Sequence, residues 1–167
     1  MSSTTGSLNH LTILQHNDIV VLMIPELIDI GGPWKVLPPG VYDSSFEEVE
    51  KYYVTNEKRR KLFQGLLRAC KSLKSGGCST IYLDGSYITD NPIPSDYDVC
   101  WNSYHVDDKK IDPVFLDFSE KRKRQKLKYG GEFFPTSYLA DGVHLFIQYF
   151  QTDKETGLDK GIIRLQL

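Results

Sequence analysis

Two carboxylates separated by a single residue, Asp96-Tyr97-Asp98, follow a Gly85-Ser86 pair after a spacer of nine residues. If Asp96–Trp101 is extended, alternate side chains share a face, so Asp96 and Asp98 project together while Tyr97, Val99 and Trp101 turn to the core. Carboxylates this close raise each other's pKa unless a cation lies between them, and Mg²⁺ favours one or two carboxylates combined with phosphate oxygens. Glycine lets a phosphate approach the backbone closely, and the serine hydroxyl and following amides can donate to its oxygens. Together they suit a triphosphate tail held beside a divalent cation, Mg²⁺ or Mn²⁺. An Asp-x-Asp next to a strand is also ordinary turn chemistry, so it is the order strand, Gly-Ser, spacer, acidic strand that carries the inference.

The elements that must position these residues can be read around them. Ser79–Leu83 is a short β-rich run ending at Asp84-Gly85-Ser86, and Pro92 and Pro94 limit the spacer to a helical turn and a loop. Upstream, Ser45 with Glu48 is a capping-box pattern opening a helix to about Tyr53. A longer helix from Asn56 to Lys74 buries Leu62, Phe63, Leu66, Leu67, Cys70 and Leu73, leaves Lys58, Arg59, Arg60 and Lys61 mostly off that stripe, and stops at Gly76-Gly77. Downstream, Pro113–Tyr129 reads as a helix ended by Gly130-Gly131, Glu132–Phe134 as a strand, and Val143–Phe150 as strand or helix. Gly161–Leu167 adds a further apolar segment. Breaks at Gly31-Gly32-Pro33 and Pro38-Pro39-Gly40 frame an extended connection. Helix and strand alternate, which predicts an α/β or α+β domain, a small mixed sheet flanked by helices. Residues 37–167 form that domain and residues 1–36 an N-terminal extension packing on it. The apolar run Ile19–Ile24 reads as a buried strand or short helix, far short of a membrane span.

The 167 residues suffice for one core, and at 40% hydrophobic and 25% charged the profile is that of a soluble globular chain. A net charge of −2 gives no bulk attraction to nucleic acid or anionic membrane, so any phosphate affinity must be local. Cys70, Cys78 and Cys100 are odd in number and lack metal-type spacing, which reads as reduced thiols in a cytoplasmic protein; the scattered histidines argue against zinc.

Gly85-Ser86, the spacer and Asp96-Tyr97-Asp98-Val99 resemble the signature of the DNA polymerase β-like nucleotidyltransferases, whose small members include minimal nucleotidyltransferases encoded beside toxin genes. More closely, the chain resembles the DUF6932 family of nucleotidyltransferase-like proteins. The matching stretches are Leu37-Pro38-Pro39-Gly40, Tyr82–Ser86, Asp98–Trp101, Gly130–Phe134 and Phe150–Asp153, covering Leu37 to Leu167. The superfamily resemblance implies a nucleotidyltransferase-like fold and metal-dependent transfer of a nucleoside monophosphate from a triphosphate to a hydroxyl. Carried over, Gly85 and Ser86 contact the β and γ phosphates, and Asp96 and Asp98 bind Mg²⁺. A third acid that helps activate the hydroxyl would be Glu132, or Asp117 if Val114–Phe118 is the strand instead. The chain departs from the pattern at Tyr87-Ile88-Thr89-Asp90, which adds bulk and a negative charge after Gly-Ser, and in a glutamate as third acid.

Two functions follow from this reading. One is an enzyme using a nucleoside triphosphate to modify a protein or an RNA end. The other is a catalytically silent binding protein of the same fold, sensing nucleotide or acting as the antitoxin-like partner of a toxin. The basic run Lys121, Arg122, Lys123, Arg124, Lys126 and Lys128 is read as a solvated helix face, with a phosphate grip as its alternative. Phe133, Phe134, Phe146, Tyr149 and Phe150 are read as core. Asp141 and Asp153 are turn acids without an assigned role.

Overall fold

The computed structural model describes residues 24–167. Most of the Ile19–Ile24 run, and most of the 1–36 extension, therefore lie outside the described residues. Five strands, β1 (Gly40–Ser44), β2 (Thr80–Asp84), β3 (Tyr97–Trp101), β4 (Gly131–Pro135) and β5 (Gly161–Gln166), form one sheet in the order β1-β5-β2-β3-β4. The outer pairs β1–β5 and β3–β4 are parallel, whereas β5–β2 and β2–β3 are antiparallel. The expected mixed α+β sheet is present.

One sheet face carries Ile81, Leu83, Tyr97, Val99, Trp101, Phe133, Ile163 and Leu165, all buried in a single cluster with the helices. Helix α1 (Phe46–Tyr53) starts at Ser45, whose hydroxyl accepts from the Glu48 amide as the capping pattern predicts. The Glu48 carboxylate does not close the box. It accepts instead from the Ile24 amide at 2.9 Å and the Ser44 hydroxyl at 2.8 Å, pinning the N-terminal arm. Helix α2 (Glu57–Ser75) is capped by Asn56 and buries the expected stripe, except that Leu67 is exposed. Gly65 faces the next helix so closely that a Cβ there would lie 1.8 Å from the Tyr129 carbonyl oxygen.

Three expectations need correction. Pro113–Tyr129 is not one helix. A 3-10 turn at Pro113–Leu116 is capped by Asp112, the Asp117 carboxylate accepts from the Ser119 amide, and Glu120, Lys121 and Arg122 all have positive φ before α3 (Lys123–Tyr129) begins. The local side-chain bonds of Asp112 and Asp117 compete with helix propagation. Buried Gln125 stitches the pieces: its amide NH₂ donates to the Val114 carbonyl at 3.0 Å, and its oxygen accepts from the Phe133 amide on edge strand β4 at 2.8 Å. The second correction is β1, an edge strand where only the end of a connection was expected. The third is Arg59, expected off the buried stripe but itself buried. Its guanidinium donates to the carbonyls of Tyr53, Tyr87, Thr89 and Asn91. Val143–Phe150 resolves into a short helix, α4 (Phe146–Tyr149), packed on the sheet face opposite the main core.

Candidate active site

β2 ends at Asp84, and register does the rest: Asp84 pairs with Asp98 on β3, and Asp98 pairs with Glu132 on β4. Three carboxylates on three adjacent strands thus share the sheet face opposite the core. Asp96 adds a fourth, one residue before β3 begins, so the strand is one residue shorter than expected. Tyr97, Val99 and Trp101 point the other way, into the core, as period-two geometry requires. Glu132 therefore joins Asp98 and Asp96. Asp117 does not: it binds Arg124 at 3.2 Å and lines a separate open groove of about 480 Å³ with Asp112, Pro113 and Lys128.

Cations are unevenly distributed over these acids. Lys160, just before β5, donates to Asp84 at 2.6 Å with both side chains nearly buried. Burial pushes the Asp84 carboxyl upward, and Lys160 opposes that shift. Lys126 pairs with Glu132 and lies 3.7 Å from Asp96, whose other oxygen accepts from Ser95 at 2.9 Å. Lys126 is thus drawn out of the solvated face assigned to the basic run. Asp98, in the centre, has neither a salt bridge nor a side-chain hydrogen bond among the described residues. Burial, reinforced by Asp84, Asp96 and Glu132, pushes its carboxyl up to about 8.

Gly85 and Ser86 sit directly against this central acid. Gly85 has φ 85°, in the left-handed region, and a Cβ there would lie 2.8 Å from an Asp98 carboxylate oxygen. A turn of 3-10 helix, Ser86–Ile88, follows. The Ser86 carbonyl accepts from the Thr89 hydroxyl at 2.7 Å, while its own hydroxyl has no partner among the described residues. The bulk expected in this loop is not in it: Tyr87 and Ile88 are buried in the core. Nor does Asp90 bring its charge to the acids; it is exposed and accepts from the Lys35 amide at 2.7 Å. Arg59 holds the loop from below through three of its carbonyls.

A family model described as a family of unknown function, DUF6932, matches residues 33–166. The chain belongs to the DUF6932 family. No curated protein and no solved structure matches it. The matched span contains every strand of this DUF6932 domain and every acid of the row. No helix among the described residues is long and apolar enough to cross a membrane.

The fit of a metal to this DUF6932 site can be judged from its donors. No group of three or more His, Cys, Asp or Glu among the described residues is arranged to hold a metal ion, so a complete protein cage is not built. What is built is an all-oxygen acid row whose central acid, Asp98, has no cation paired to it among the described residues. That donor set fits Mg²⁺ shared with a ligand's phosphates. Sequence reasoning missed three participants, Asp84, Lys126 and Lys160. Asp84 was visible only as the end of a strand, because its place beside Asp98 depends on strand register. Lys126 was hidden in a run of like charges.

Proposed function

We propose that the site is a nucleotide site of nucleotidyltransferase type, moving a nucleoside monophosphate from a triphosphate to a hydroxyl of a protein or RNA acceptor with the help of Mg²⁺ or Mn²⁺. The observation that carries the reading is Asp98: a carboxyl group among three others, with no salt bridge among the described residues, pressed against a glycine and a serine whose hydroxyl has no partner among them. Asp98 with Asp96 would hold the metal, and Gly85 and Ser86 would receive the β and γ phosphates.

Transfer forms a bond between the acceptor oxygen and the α phosphorus and breaks the bond from that phosphorus to the oxygen bridging to the β phosphate, so pyrophosphate leaves. A divalent ion held by Asp96 and Asp98 would neutralise charge growing on the attacking and leaving oxygens. Glu132, next to Asp98 in register, would accept the hydroxyl proton once its bond to Lys126 opens. Arg59 keeps the Ser86–Asn91 loop in shape without touching the acids.

A second reading has support of its own. Lys126 already neutralises Glu132 and approaches Asp96, which suits a protein that binds nucleotide or a partner such as a toxin without turning over.

Calorimetric titration with a nonhydrolysable ATP analogue, with and without Mg²⁺, tests the site. Metal-dependent binding that disappears in an Asp96/Asp98 double-alanine variant is the expected result. Absence of binding with all four nucleotides would sink the nucleotide reading. Binding without incorporation of labelled nucleoside monophosphate into any cellular protein or RNA fraction would favour the silent form.

A further inference from the structure

Among the described residues, Arg122 is the one basic side chain near the acid row that is positioned but not paired. Three consecutive residues, Glu120, Lys121 and Arg122, hold φ values of 45°, 53° and 58°, a left-handed conformation that costs roughly 1 kcal/mol or more at each non-glycine position. This strained bend carries the Arg122 side chain over β4 onto the acid face. There its guanidinium lies 4.0 Å from the Phe134 ring centre, 5.3 Å from Phe118 and 5.8 Å from Phe146. Its Nε is buried without a hydrogen-bond partner, and the guanidinium pairs with no carboxylate among the described residues. Yet it is close enough to feel the charges of Glu132 and Asp98.

Stacking uses the flat face of a guanidinium, whereas its hydrogen bonds leave from the edge, so the aromatic clamp fixes the group without consuming its donors. The clamp is consistent on the strand: Glu132 and Phe134 are two residues apart on one face of β4, which places the cation one step along the sheet from the acids. A buried, unsatisfied N–H costs stability, and here it is accompanied by backbone strain. The Nε is closed to any external acceptor, so the donors left for one are the terminal NH₂ groups, which make no hydrogen bond among the described residues. Neighbouring carboxylates cannot serve, since Glu132 is engaged by Lys126 and Asp98 is not within pairing distance.

We propose that Arg122 is an anion receptor that donates to a phosphate oxygen of a nucleotide lying across the acid row. The proposal rests on the nucleotide reading above and adds a residue to it: the phosphate tail is gripped from two sides, by the Gly85-Ser86 loop at the end of β2 and by Arg122 beyond β4. Lys121, Lys123 and Arg124 have no part in the grip, because they are exposed.

The test is calorimetric titration of wild type, Arg122→Gln, Arg122→Lys and Asp98→Asn with Mg²⁺ and either inorganic tripolyphosphate or a nonhydrolysable ATP analogue. Loss of a charge-assisted contact to phosphate should weaken both probes in Arg122→Gln by the same factor, about tenfold or more. Arg122→Lys, which keeps the charge but loses the planar fork, should fall between. Thermal melts run in parallel separate a folding defect, and the lysine variant carries the test if the glutamine variant unfolds. Equal affinity of wild type and either folded variant for tripolyphosphate overturns the role of Arg122 while leaving the nucleotide site standing. Failure of wild type to bind either probe overturns the site and this assignment together.

Discussion

Asp98 and Lys126 make opposite demands on the same few ångströms of sheet surface. Asp98 retains its proton in the folded chain up to about pH 8, against an ordinary value of 3.8. Between those two pH values the unfolded chain has released a proton that the folded chain keeps, so the folded state loses stability as pH rises through that window. Asp98→Asn removes the effect. The variant should melt higher than wild type at pH 8, with the difference shrinking steadily toward pH 4. The same variant should lose Mg²⁺-dependent nucleotide binding. A melting difference that is flat with pH would mean Asp98 is already ionised and compensated. Lys126 occupies the position of a tethered cation, competing with any divalent ion for Glu132 and Asp96. Lys126→Met should therefore tighten Mn²⁺ binding about threefold to tenfold, and an unchanged affinity would show that the ammonium and the metal do not compete.

Elements place these residues through contacts that can be broken separately. Arg59 spans from α2 to the loop after Ser86, donating to carbonyls of Tyr87, Thr89 and Asn91, and no other described side chain could replace it there. Arg59→Met leaves those buried acceptors without donors and should cost about 3 kcal/mol, with faster amide exchange concentrated at residues 86–91. Unaltered exchange in that loop would show that its shape comes from Tyr87 and Ile88 packing alone. Gly65→Ala drives a methyl into the Tyr129 carbonyl, prising α2 from α3, and should destabilise by about 2–3 kcal/mol in chemical denaturation. Much of this level was legible in the sequence. α1, α2, β2, β3 and β4 follow from caps, apolar period and glycine stops, whereas β5 was visible only as an apolar segment. β1 was not legible, because Gly40–Ser44 is an edge strand held by β5 and has only one buried side chain, the polar Ser44. The segment 113–129 misleads because its apolar spacing continues through a bend that local carboxylate and serine bonds impose.

At the scale of the molecule, the sheet order β1-β5-β2-β3-β4 does what no local pattern announces. Spacing in the sequence brings Asp96 and Asp98 together with Gly85-Ser86, since all lie within one antiparallel pair. It is silent on which strand flanks that pair, and hence on Asp84 facing Lys160 and on Glu132 rather than Asp117 standing beside Asp98. Those partners come from regions up to 76 residues apart in the chain, and long-range register is decided by the closing of the whole core.

β5 is made after every other strand, yet it lies inside the sheet between β1 and β2. While the chain emerges from the ribosome, β2, β3 and β4 can pair, but β1 has no neighbour to join and Asp84 has no ammonium beside it. Folding of this domain is thus keyed to the synthesis of β5: the acid row is assembled early and its Lys160 counter-charge arrives late. Chains arrested before Gly161 should retain α2 and the β2–β4 sheet fragment but remain open to protease at residues 40–44, whereas chains that include β5 become resistant there in one step.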